Sequence, residues 1–96
     1  MSLEGRAQRK VPGGKLVKVW VKVGEGRIQD LRITGDFFLH PEDAILDVED
    51  SLRGVEAGAG IGSLERRISR ALREKGAEFI GVEARDIALA LREALP

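Results

Sequence analysis

Cysteine and tyrosine are absent from this 96-residue chain, and histidine and tryptophan occur once each. Without cysteine there are no disulfides, no thiolate nucleophile and no sulfur-carrier chemistry. Nor is there a Cys/His set with zinc spacing. The lone His40 stands before Pro41, where a helix is about to start. It is a candidate helix cap, or a metal ligand with Glu42 or Asp43, and the structural role is the simpler reading. An excess of either charge is also missing, since 16 basic residues face 16 acidic ones. That balance argues against general electrostatic binding to nucleic acid. No apolar run approaches the roughly 20 residues that span a bilayer. Met1 to Lys10 has no apolar core of the kind a signal peptide needs, so a cytoplasmic location is expected. The length suits one domain with a single core and leaves no room for a separate catalytic lobe. A charged fraction of 33%, rich in arginine, leans towards the composition of a thermophile.

What is present begins with an aperiodic polar stretch, residues 1–9, which predicts a frayed tail. Residues 10–96 then form the single domain. Pro12-Gly13-Gly14 breaks regular structure before the first strand. With Lys10 and Lys15 on either side, Gly13 and Gly14 admit two readings, a plain turn or backbone N–H groups offered to a phosphate. From Lys15 to Val23 the sequence alternates. Val17, Val19, Val21 and Val23 claim the core face, which sends Leu16, Lys18, Trp20 and Lys22 to the other. Trp20 either lies over its cross-strand neighbours or, with Leu16, anchors an interface.

Gly24-Glu25-Gly26 closes a hairpin. The second strand, Arg27 to Thr34, turns Gln29, Leu31 and Ile33 inwards. Asp30, Arg32 and Thr34 join Trp20 outside, where Asp30 is placed to pair with a lysine. Ile28 is out of phase and signals a bulge. A short third strand is expected through Phe37 to Leu39.

The stretch from Gly35 to Glu42 turns strand into helix. Gly35 permits unusual backbone angles, and Asp36 is a short acceptor for nearby N–H groups. Pro41, Glu42 and Asp43 suit a first helical turn. Helix one, Pro41 to Arg53, has an apolar stripe and an otherwise acidic surface that includes Glu49. The glycine-rich segment Val55–Gly62 reads as a mobile loop. Helix two starts at Ser63 as N-cap and ends before Gly76, with Arg66, Arg67, Arg70 and Arg73 outside. Phe79 to Val82 is an apolar link, and helix three runs from Ala84 to Leu95. The expected fold is therefore α+β. Two long strands and a short third make a small antiparallel sheet with three helices on one face, in the order β-β-β-α-α-α.

Gly35-Asp36-Phe37-Phe38 after a two-stranded pattern resembles the C-terminal, or accessory, domain of lipoate–protein ligases. Lys10-Val11-Pro12-Gly13-Gly14-Lys15 resembles the opening of that domain, and Gly24-Glu25-Gly26-Arg27-Ile28 its first hairpin. Leu52-Arg53-Gly54-Val55 resembles its midpoint, and Phe79-Ile80-Gly81-Val82 with Asp86-Ile87 its last helix. The likeness runs in order from Lys10 to Leu95. Glu83 departs from it, standing where the family often has Ser or Thr, and so does the small-residue loop Gly58–Gly62. The resemblance implies a domain that supports lipoate adenylation beside a larger catalytic domain. Here that would be a separate catalytic lipoate–protein ligase subunit in a heterodimer. That subunit would bind lipoate and ATP with magnesium and serve lipoyl-acceptor proteins, while this chain binds no cofactor alone. No nucleic acid or membrane partner is implied.

The residues themselves supply no nucleophile–base pair, so chemistry by the isolated chain is the weakest of three readings. The others are an accessory ligase subunit and a stand-alone protein-binding module unconnected with lipoylation. For either of these, Gly35, Asp36, Phe37 and Phe38, with Trp20 and Leu16, are the candidate contact residues. Lys10, Gly13, Gly14 and Lys15 are the candidate phosphate contacts.

Overall fold

Successive side chains of a strand point to opposite faces, so four valines at alternate positions commit one face of a strand to the core. Val17, Val19, Val21 and Val23 do this along β2 (Leu16–Gly24), and all four are buried. In the computed structural model, which describes residues 2–96, β2 is the central strand of an antiparallel three-stranded sheet. Its neighbours are β1 (Ser2–Lys10) and β3 (Arg27–Gly35). A second, two-stranded ribbon pairs β4 (Phe38–His40) with β5 (Glu78–Ile80). Three helices complete the chain: α1 (Ala44–Leu52), α2 (Ile61–Lys75) and α3 (Ala84–Ala94). α3 packs on β1 and β2, α1 on β3, and α2 on both other helices. Their apolar stripes meet the valine face, with Leu52, Leu64, Ile68, Ile87 and Leu91 fully buried. The result is the α+β architecture expected, an antiparallel sheet with helices on one side.

The segment read as a frayed tail is the edge strand β1. Its nine residues pair in register with β2, from Ser2 opposite Gly24 to Lys10 opposite Leu16. The alternation is hidden because the two middle inward positions, Gly5 and Ala7, are small, and the outer two are an exposed Leu3 and a charged Arg9. A Cβ on Gly5 would collide with the carbonyl of Ala94 at the end of α3. Ala7, the next inward residue, is only half-buried against the core. A strand that a helix approaches this closely carries no hydrophobic signal.

The bulge signalled by Ile28 is present. Lys22 pairs with Asp30 but Val23 with Ile28, which leaves Gln29 as the extra residue. Ile28 is thereby returned to the core, and Gln29, expected inside, is exposed. The short third strand also differs from expectation, because β4 joins β5 and not the main sheet.

The helix starts shift as well. α1 begins at Ala44, with Pro41 left in the preceding turn, and α2 begins at Ile61 with Gly60, not Ser63, as N-cap. Glu49, counted with the acidic surface, is only 4% exposed. Its Oε2 accepts the Ile33 N–H at 2.9 Å, so a buried carboxylate fastens α1 to the edge strand β3. Buried acceptors are paired in this way because an unmatched one costs its full desolvation.

The glycine-rich loop is held rather than loose. Arg92 donates to the carbonyls of Ala57 at 2.8 Å and Ala59 at 2.7 Å. The Ile28 N–H reaches Val55 O, and the Ala57 N–H reaches Gly26 O. Bonds from elsewhere in the chain give this segment the anchorage that its own side chains do not.

Asp30 takes arginines in place of the expected lysine. Arg53 reaches its Oδ1 at 3.0 Å and Arg32 at 2.8 Å. The Arg53 guanidinium, then the Leu31 N–H and Arg32, hold its carboxyl below the ordinary 3.8. A lowered folded-state value means that the contribution is complete above the unfolded value and is lost as pH falls through the folded one. Acid unfolding followed by circular dichroism should therefore show a loss below about pH 3.8 that Asp30→Asn removes. Gly5→Val should cost at least about 1–3 kcal/mol, the usual penalty of an overpacked contact, as measured by urea unfolding. An unchanged midpoint would mean that β1 does not seat against α3.

Candidate functional site

Two stretches that stand apart in sequence meet in space. Residues 11–15 are the loop of the β1–β2 hairpin, closed by Val11 N–H to Lys15 O at 2.8 Å and Gly14 N–H to Val11 O at 3.0 Å. Gly13 and Gly14 both have positive φ, 98° and 91°, which only glycine adopts without strain. Gly14 thus directs its N–H into the turn, and Lys10 is exposed at the last pair of the hairpin.

This loop is tied to the Gly35–Phe38 corner by a reciprocal bond. The Leu16 N–H donates to Asp36 Oδ1 at 2.6 Å, and the Asp36 N–H donates to Leu16 O at 3.2 Å. Asp36 therefore closes the end of the sheet with its side chain. Gly35 is required by close approach, since a Cβ there would strike the Leu16 carbonyl and the Phe37 ring.

The paired phenylalanines separate because strand parity sends adjacent side chains to opposite sides. Phe37 packs on the core and meets Phe79 edge to face, with ring centroids 5.4 Å apart and planes at 77°. Phe38 points out and is 64% exposed. Across the ribbon its partner is Ile80, itself 51% exposed. Lys15 lies over this pair: its Nζ is 5.8 Å from the Phe38 ring centroid. Its stem crosses Gly81, where a Cβ would meet Lys15 Cγ at 3.1 Å. A shallow groove lined by Ile33, Phe37, Phe38, Glu42 and Ile45 continues the apolar surface towards α1.

Chemically this is an apolar anchor beside a positioned cation. Among the described residues no group of three or more His, Asp or Glu is arranged to hold a metal ion. Ile80 and Gly81 belong to the site but are not among the contact residues expected from the sequence. The sequence offers them only as part of the apolar link Phe79–Val82 and of the family resemblance, not as contact residues.

Trp20 is at a distance from this corner. It projects from the outer sheet face, half-buried, between Arg6 and Arg32 in the ladder. Its Nε1 donates to Glu4 Oε1 at 2.7 Å, so a cross-strand neighbour takes up the indole. Leu16 is on the same face, at the end nearest the corner. Among the described residues no helix packs there, and the face carries Arg6, Lys10, Lys18, Lys22 and Arg32 against Glu4 and Asp30.

The fold and the corner define a class. Residues 3–88 match the family described as the bacterial lipoate protein ligase C-terminus, and the chain belongs to it. Among individual proteins, the chain is 39% identical over 79 residues to lipoate-protein ligase A subunit 2 of Thermoplasma acidophilum. That alignment covers 80% of this chain and 77% of the relative. A solved structure from the bi-partite lipoate protein ligase and E2 lipoyl domain of the same organism superposes with a TM-score of 0.70. It shares 34% identity, with 96% of each chain covered.

The split between the two phenylalanines is measurable without a partner. Phe37→Ala should cost about 2–3 kcal/mol, below the ~3–5 of a fully buried ring because Phe37 is only partly covered. Phe38→Ala removes exposed surface and one cation–π contact, and should cost less than about 1 kcal/mol. Equal losses in thermal melts would place both rings in the core and remove Phe38 from the site.

Proposed function

We propose that this chain is the accessory subunit of a two-chain lipoate–protein ligase, pairing with a separate catalytic subunit and supporting lipoate adenylation. The observation that carries the reading is the end-to-end match with a chain of a ligase described as bi-partite. The match extends over 96% of both chains, so the likeness covers the whole unit and not a shared fragment. Lipoate and ATP with magnesium are substrates of the catalytic subunit on this reading, and the acceptor receives lipoyl there.

The corner supports the reading from the physical side. Phe38 and Ile80 are large apolar side chains left in water, and such exposed anchors are the usual centre of an interface. Lys15 is already arranged over them, so little side-chain freedom is lost on docking. Its ammonium suits a carboxylate on the partner, or the negative charge of a bound nucleotide at the subunit boundary.

Two measurements test this. Added to the catalytic subunit, the chain should raise lipoyl-AMP formation far more than transfer from preformed lipoyl-AMP; equal stimulation of the two half-reactions would overturn the adenylation role. Phe38→Ala should weaken the complex by at least about 2 kcal/mol, roughly 30-fold in Kd. Trp20→Ala should leave it nearly unchanged. The reverse order in calorimetric titrations would move the interface to the outer sheet face.

A further inference from the structure

Most arginines in this fold have a partner. Arg9, Arg27, Arg32, Arg53 and Arg85 each reach a carboxylate, and Arg92 reaches two backbone carbonyls. Arg6 on the outer sheet face does not, and neither do four consecutive arginines of α2. Arg66, Arg67, Arg70 and Arg73 are all exposed, and among the described residues none has a carboxylate within 4.0 Å. Arg66, Arg70 and Arg73 follow the i, i+4, i+7 spacing that places them on one side of the helix, and Arg67 borders them. The row is about 10 Å long at 1.5 Å per residue. Like charges at these spacings oppose helix formation, so the row is unfavourable for the isolated fold.

We infer that this face of α2 docks an acidic protein, and that the protein is the lipoyl-acceptor domain. The type of cation indicates the ligand chemistry. Guanidinium groups offer planar paired donors that match carboxylates, and the small residues Gly62, Ser63 and Ser69 line the same groove. The surroundings bound its extent. Asp47 and Asp50 of α1 and Glu65 and Glu74 of α2 line the same groove. A continuous polyanion such as RNA would run from the arginines onto these carboxylates, whereas a compact carboxylate cluster would not. Nor does the groove offer an aromatic ring on which a base could stack.

The position of the face separates it from the corner. α1 and the turn before it lie between the two: Glu42 of the turn and Ile45 line the corner groove, and Asp47, Asp50 and Ser51 line the arginine groove. A catalytic subunit seated on Phe38 and Ile80 thus leaves α2 open to a second protein. In the reaction proposed above that protein is the acceptor, and the identity of the partner, though not its acidity, rests on that reading.

The test uses the two-chain complex, immobilised through its catalytic subunit and titrated with the apo acceptor domain. The double variant Arg66→Glu with Arg70→Glu should bind acceptor at least about tenfold more weakly, and wild-type binding should fall steeply with added salt. Affinity for the catalytic subunit and the melting temperature should stay as in the wild type. Unchanged acceptor binding overturns the inference, as does a loss of acceptor that follows from loss of the catalytic subunit. Tighter binding of a 20-nucleotide RNA than of the acceptor also overturns it. If the chain proves not to pair with a catalytic subunit, direct titration of the isolated chain with acceptor still decides the matter. Binding abolished by the double variant supports the arginine face, and no binding refutes it.

Discussion

One strand of four valines constrains this molecule more than any other feature. Because Val17, Val19, Val21 and Val23 must all leave water together, the helices gather on one side of the sheet, α3 on β2, α1 on β3 and α2 over both helices. Burial of one such side chain is favourable by roughly 1.5–3 kcal/mol, so exposing the row would cancel much of a small domain's stability of ~5–15 kcal/mol. The other elements then adjust to that face. A bulge at Gln29 brings Ile28 back into phase, and Gly5 stays bare so that α3 can close over β1. The outer face is left without a helix, which is why Trp20 takes its polar partner from Glu4, a neighbour within the sheet.

Where an element follows from its own side chains, it is readable in the sequence. The valine row, the Ile28 bulge, the Gly24–Gly26 hairpin and the stop of α2 at Gly76 are cases of this kind. Where an element depends on what approaches it, sequence is silent. β1 looks like a tail because closeness to α3 keeps Gly5 bare at the middle of its inward face. The Val55–Gly62 segment looks mobile because its bonds come from Arg92, Ile28 and Gly26, far away in the chain. Glu49 looks like surface because nothing local announces the Ile33 N–H that it accepts.

The candidate site shows the same division at finer scale. Gly35, Asp36, Phe37 and Phe38 stand out as a corner, and Lys15 stands out beside two glycines. That the two groups form one site depends on the Leu16–Asp36 bond and on Gly81 lying under the lysine stem. Both are contacts between residues 20 or more positions apart, beyond the reach of periodicity. The resemblance to the ligase domain names both stretches but says nothing of their contact.

Adjacent identical residues usually invite one explanation, and here parity requires two. Phe37 and Phe38 share a sequence context, yet their side chains leave the backbone in opposite directions. The inner ring meets Phe79 and fixes the β4–β5 ribbon on the core. The outer ring is then held on a rigid base with Ile80 beside it and Lys15 above. An exposed phenylalanine on a mobile loop would have to be ordered on binding, at a cost of about 0.5–1.5 kcal/mol for each side chain immobilised. Backing the outer ring with the inner one meets most of that cost during folding. The structural phenylalanine is therefore what makes its neighbour usable as an anchor, and the two roles cannot be exchanged without turning the ribbon over.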